Sequence, residues 1–143
     1  MFRTFGYYLN GAILDETAGY ARGPSTIEPV PAEEMARDHT AVNDQALALV
    51  KKLGVTPQDN PTSQSLAGNA AAEQKKLAAL SGSAYDKAYA ANEVAYHKAV
   101  NAALADTLIP SAQNAELKSL LETGLKLFQS HQMHAEHLAQ SLK

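Results

Sequence analysis

The sequence predicts an all-α protein made of one helical bundle. The composition is rich in alanine and poor in aromatic residues, at 6% with no tryptophan, which suits close-packed helices better than a β-sheet. Apolar or small residues recur in alternating steps of four and three, as on the buried face of a bundled helix. The 143 residues are enough for one domain with its own core. Without an internal repeat or a low-complexity linker, we expect a single domain over 1–143.

The N-terminal part of the chain is predicted to contain a loose start at 1–8 and a helix at 9–21. Prolines and glycines between 23 and 31 stop this helix and keep the chain extended. The second predicted helix covers 32–53, because acidic residues open it and Gly54 suits a left-handed cap. Its inward face consists of Met35, His39, Val42, Ala46, Leu49 and Leu53.

Three further helices are predicted at 63–81, 84–108 and 114–141. The first of these has only a thin apolar stripe and is expected to be a short crossover piece. The second is expected to end before Pro110, because proline lacks the backbone donor and clashes with the preceding turn. Asn114 is the expected N-cap of the last helix.

Ionisable residues occupy positions on the apolar faces of three predicted helices. His39 lies on the second helix, Glu93 and His97 on the fourth, and His131 on the last. Residues three or four apart share a helix face, so Glu93 with His97, and His131 with His134, can each direct two donors at one ion. We therefore predict a metal site formed by Glu93, His97, His131 and His134, with His39 as a further candidate ligand.

The relative heights of these residues follow from the expected hairpin between the last two helices. If that hairpin is centred near residue 111, position 93 lies opposite position 129. Glu93 and His131 are then ~3 Å apart in height at a rise of ~1.5 Å per residue. His137 is expected to face solvent, because each step of three residues turns about 60° around the helix axis.

The same residues also fit a purely structural network. In that interpretation each inward histidine donates a hydrogen bond to a carboxylate or a backbone carbonyl on a neighbouring helix. Glu93 would pair with His131 or with His39. The sequence leaves this alternative open.

The donor types restrict the metal and the chemistry. A histidine-rich set favours zinc, copper or nickel over calcium or magnesium. A di-iron centre of the ferritin type needs a Glu-x-x-His motif on each of two helices, and the sequence contains none. Asp38 and His39 are adjacent and point about 100° apart on a helix, so they do not form a catalytic pair. No catalytic residue and no organic cofactor site is predicted, because phosphate loops and nucleophile motifs are also missing.

Charge, cysteine content and hydropathy exclude several classes of partner. A formal net charge of -3 provides no basic surface for nucleic acid. The absence of cysteine excludes disulfides and thiolate chemistry. The longest apolar runs are far below the ~20 residues that span a bilayer. The first residues lack the basic start and apolar core of a signal peptide.

Three stretches of the sequence have the spacing of a known pattern. They are 32–43 with Asp38-His39, 81–97 with Tyr85, and 125–138 with His131. Together they resemble a bacterial family of unknown function whose members are often described as outer-membrane or exported proteins. The resemblance implies a ferritin-like four-helix bundle with an additional short crossover helix. It also implies a periplasmic or exported location. It does not indicate which activity, if any, the protein has.

Three functions are compatible with these observations. The preferred one is a non-enzymatic exported helical protein that binds a metal ion through inward-facing histidines. The second is a partner-binding or self-assembling module, because the short, broken first helix leaves an apolar face open to a partner helix or a second copy. The third is a metalloenzyme that uses the same histidines.

Overall fold

The structure, a computed structural model, describes residues 32–56 and 61–143. Its main helices are α1 (Ala32–Lys52), α2 (Pro61–Ala78), α3 (Gly82–Ala103) and α4 (Ala115–Ser141). These described ranges contain no strand, which confirms the all-α prediction for this part of the chain. The predicted loose start and the predicted helix at 9–21 lie outside the described residues.

The C-terminal end of α3 differs from the prediction. The helix continues through a π-helical turn at Leu104–Leu108 and a final turn at Ile109–Ser111, so Pro110 lies inside it. The backbone N–H of Ile109 donates to the carbonyl of Leu104, five residues earlier. A π turn is wider than an α turn, which relieves the clash between a proline ring and the preceding turn. The helix therefore reaches Ser111 rather than 108.

This longer helix changes the register of the hairpin between α3 and α4. The Asn101 side chain donates to Gln132 Oε1 at 2.9 Å, and Lys98 Nζ lies 3.0 Å from Glu136 Oε1. The sequence numbers of these pairs average about 117, and those of Asn101 and Phe128, which are also hydrogen-bonded, average about 114, so the expected hairpin centre near 111 was wrong. The connection lies beyond Ser111, and Asn114 caps α4 as predicted by accepting from the backbone N–H of Leu117.

The helices run in alternating directions around α4. Lys52 pairs with Glu116 at one end of α1, and His39 meets His131 further toward the other end, so α1 and α4 are antiparallel. Because α3 is also antiparallel to α4, α1 and α3 run parallel to each other. The shorter α2 contacts α3. This arrangement is compatible with a four-helix bundle.

The apolar core lies between α1, the C-terminal end of α3 and the N-terminal half of α4. Burial of such side chains contributes about 25 cal/mol per Å² of apolar surface. The histidines lie at one end of this core, next to Phe128, which is fully buried. The core residues are Val42, Ala46, Leu49, Val100, Leu104, Leu108, Leu117, Leu120, Leu121 and Phe128.

No helix within the described ranges combines the length and the hydropathy that crossing a bilayer requires. The predictions concerning nucleic acid and self-association are not tested by the fold and stay predictions.

Candidate metal centre

Three histidines from three helices meet at the end of the apolar core. His39 comes from α1, His97 from α3 and His131 from α4, and their exposed fractions are 1%, 0% and 4%. His131 Nδ1 lies 3.2 Å from His39 Nε2. One ring nitrogen of each histidine lies within 4.8 Å of the other two. The structure thus brings together three of the five predicted ligands.

The local sequence explains why His39 points inward. It occupies a position on the apolar face of α1 between Met35 and Val42, both of which are buried, so the amphipathic pattern of the helix turns it toward the core. Its ring stacks on Phe128 with a centroid distance of 4.4 Å and an interplanar angle of 6°. This contact holds the plane of the imidazole in one orientation.

The orientation of His97 leaves one ring nitrogen directed into the protein. Its Nδ1 lies 2.9 Å from the backbone carbonyl of Glu93. A carbonyl oxygen only accepts, so Nδ1 carries the hydrogen and Nε2 holds a lone pair. Nε2 is buried and has no hydrogen-bond partner among the described residues. An unsatisfied buried acceptor costs about 1–3 kcal/mol, and a metal ion would satisfy it.

His131 is oriented by a carboxylate on another helix. Its Nε2 lies 3.4 Å from Asp38 Oδ2, and a carboxylate oxygen accepts the N–H. His131 Nδ1 then holds a lone pair and accepts a hydrogen bond from the N–H of His39 Nε2 at 3.2 Å. A carboxylate on the far nitrogen of a histidine is the usual way in which proteins orient a metal ligand. Sequence reasoning missed this role of Asp38, because it considered only the neighbouring His39.

Burial keeps two of the imidazoles neutral. Burial, together with the nearby His97 and His131 rings, lowers the pKa of His39 from 6.5 to about 2. Burial likewise lowers the pKa of His97 to about 4, against the opposing effect of the hydrogen bond to the Glu93 carbonyl. Both rings are therefore neutral at pH 7. Neutral imidazole is the form that binds a metal.

Glu93 lies next to this group and is 1% exposed. Its Oε2 lies 3.5 Å from His97 Nδ1. The same residue lines a small cavity of about 20 Å³ together with His134. The carboxylate is therefore placed between the histidines and that cavity.

His134 does not join the three buried histidines. Its side chain is exposed, because a position three residues after His131 is turned about 60° away from the buried face of α4. It lines the cavity beside Glu93. His137 is exposed, as predicted.

Asn101 is a buried polar residue that sequence reasoning did not identify. It is 8% exposed, and its Nδ2 donates to the Phe128 carbonyl at 3.3 Å and to Gln132 Oε1 at 2.9 Å. These bonds fix α3 against α4 one turn from His97. Asparagine is common on exposed helix faces, so the sequence offered no signal for this contact.

Residues 31–138, about three quarters of the chain, match the family model described as Domain of unknown function (DUF4142). The chain belongs to this family. The expected resemblance to a domain of unknown function is thereby confirmed, and the DUF4142 match contains Glu93 and all three buried histidines. Searches of curated proteins and of solved structures found no match.

Proposed function

We propose that this DUF4142 domain binds one divalent transition-metal ion, zinc, copper or nickel, through His39, His97 and His131. The observation that carries the proposal is the convergence of three buried imidazoles from three helices. His97 Nε2 adds to it, since within the described residues this buried acceptor has no hydrogen-bond partner. Imidazole nitrogen is a preferred ligand of all three metals.

The distances are close to those of a coordination shell. Zinc–nitrogen bonds of about 2.0–2.1 Å place two nitrogens of a tetrahedral site about 3.3–3.4 Å apart. The observed separation between His131 Nδ1 and His39 Nε2 is 3.2 Å, bridged by a hydrogen bond that His39 donates. An ion would replace this hydrogen, which moves to His39 Nδ1 when the other tautomer forms. Since all ligand nitrogens lie within 4.8 Å of one another, closure around an ion needs a shift of at most about 1.5 Å in the more distant ring. Three protein ligands leave a fourth position for water or another small ligand.

The surroundings of the histidines favour a metal site over a purely structural network. A structural network satisfies its buried polar atoms internally, whereas His97 Nε2 has no such partner in the part of the chain that the structure describes. Asp38 orients His131, and the Phe128 ring orients His39. Because both imidazoles are already held in one orientation, they lose less conformational entropy when they bind an ion.

Titration calorimetry of tag-free, metal-stripped protein with zinc and with copper tests this function. We expect one equivalent to bind with a dissociation constant below about 1 µM, and His97→Ala and His131→Ala to weaken binding at least about 100-fold. His137→Ala is the matched control, because this exposed histidine lies on the same helix as His131. Absence of micromolar affinity in the folded parent protein at neutral pH would overturn the proposal.

The finer fold assignment and the location belong to the same proposal. We infer a ferritin-like bundle, supported by the parallel α1 and α3 on either side of the antiparallel α4. An exported or periplasmic location is supported by the family resemblance of the sequence. A non-enzymatic role is proposed because the sequence contains neither a phosphate loop nor a nucleophile motif. Fractionation of cells that express the native protein checks the location, and recovery from the cytosol alone would contradict it.

A further inference from the structure

The three buried histidines form a layer across α1, α3 and α4, and a second layer lies one turn away. Met35 precedes His39 by four residues, Glu93 precedes His97 by four, and Ala135 follows His131 by four. Residues four apart are neighbours on a helix face, and α4 runs opposite to α1 and α3. Met35, Glu93 and Ala135 therefore lie at the same height, on one side of the histidines.

The opposite side of the histidine layer is closed by packed side chains. Phe128 is fully buried and stacks on His39. Val42 and Val100 are buried at 4% and 3% exposure, and the Asn101 side chain bonds across to α4. Among the residues that the structure describes, these packed side chains leave an ion no route to the histidines through this end of the core.

The layer that contains Glu93 is incompletely filled. A cavity of about 20 Å³ lies there, lined by Met35, Tyr89, Glu93, His134, Ala135 and Leu138. This volume is enough for one water molecule, for which about 10–15 Å³ is needed. Ala135 forms part of its wall with a short side chain, whereas most of the other buried positions of α4 carry leucine or phenylalanine. The exposed His134 places one wall of the cavity at the surface.

We propose that Glu93 and His134 form an entry site through which the metal ion reaches and leaves the three buried histidines. The inference rests on the proposed function. Carboxylate and imidazole both bind zinc and copper, and the Glu93 carboxylate extends to 3.5 Å from the His97 ring. An ion held at the cavity has to travel one helical turn, about 6 Å, to the histidine layer. The transfer is an exchange of ligands with no covalent step.

Stopped-flow mixing of the metal-free full chain with zinc, and of the zinc-loaded chain with excess chelator, tests the route. His134→Ala and the cavity-filling Ala135→Leu are each expected to slow both uptake and release by about tenfold or more. The dissociation constant should change by less than about twofold, because a change confined to the barrier alters both rates equally. His137→Ala serves as the matched surface control and should exchange zinc at the parent rate.

The outcomes separate the two proposals. If the parent protein binds no zinc, the proposed function fails and the entry site fails with it. If the parent protein binds zinc and both variants exchange it at the parent rates, the entry site is overturned while the proposed function stands. If His134→Ala weakens the equilibrium affinity more than about tenfold, His134 is a ligand of the bound state and the entry role is overturned. His134 is exposed, so its variant tests the route even if Ala135→Leu does not fold.

Discussion

Asp38 on α1 lies 3.4 Å from the far ring nitrogen of His131 on α4, and the residue next to it, His39, meets the near ring nitrogen of the same imidazole at 3.2 Å. Two adjacent residues of one helix thus contact both nitrogens of one ring on another helix. This double contact fixes the orientation of His131, which donates from Nε2 to Asp38 and accepts at Nδ1 from His39, so that Nδ1 faces the other two histidines.

Asp38→Asn should weaken metal binding without unfolding the protein. The amide keeps the shape of the carboxylate but loses the charge that favours the N–H on His131 Nε2, so we expect a 10- to 100-fold lower affinity. Its ion pair with Arg37 is at the surface, with the arginine 68% exposed, and contributes little to folding. Calorimetric titration with zinc checks this, with the exposed Asp44→Asn on the same helix as control. Equal affinities of the two variants would contradict the orienting role.

The stability of the metal-free protein should fall as the pH falls below 6.5. In the unfolded chain His39 and His97 take up protons near pH 6.5, whereas their folded pKa values are lowered to about 2 and about 4. The unfolded state therefore binds more protons below pH 6.5. The resulting loss of unfolding free energy continues to about pH 4 for His97 and to about pH 2 for His39. Each of the two histidines lowers the unfolding free energy by at most about 1.4 kcal/mol per pH unit in its range.

Urea unfolding of the metal-free protein between pH 7.5 and pH 5.5 measures this slope. His97→Gln should reduce it, because the variant has one buried imidazole fewer, while the exposed His137→Ala should leave it unchanged. Equal unfolding free energies of the parent protein at the two pH values would contradict the burial of neutral imidazoles.

The inward direction of the three central histidines could be predicted from the sequence, because it depends on the periodicity of each single helix. His39, His97 and His131 each lie on the apolar face that alternating steps of four and three define, and the structure buries all three. Periodicity acts within one helix and needs no knowledge of its neighbours.

The contacts between helices could not be predicted in the same way. The register of α3 against α4 depends on the π turn at Leu104–Leu108, which carries the helix past Pro110. A local sequence rule ends the helix before Pro110 and misplaces the hairpin centre by about three to six residues, which is roughly one turn or more. For the same reason the contact between Asp38 and His131 was not visible, since it depends on how α1 meets α4.

Asn101→Ala should destabilise the fold by about 1–3 kcal/mol. The substitution removes the donor to the Phe128 carbonyl and leaves the Oε1 atom of Gln132 without that bond. Gln132→Ala is the matched comparison and should cost less, because Asn101 retains its bond to the Phe128 carbonyl. Urea unfolding at pH 7.5 measures both values, and a larger effect of the Gln132 variant would contradict this order.

Gly124→Ala should stabilise the protein by about 0.5–1 kcal/mol, since glycine inside a helix is costly relative to alanine. The new Cβ would lie 3.5 Å from the Phe128 ring and 3.7 Å from Val42 Cγ1, which are ordinary van der Waals contacts. Gly124→Val is the matched overpacking control and should lose about 1–3 kcal/mol. Thermal and urea unfolding measure both variants. A lower stability of the alanine variant would mean that α1 and α4 approach more closely at Gly124 than these distances allow.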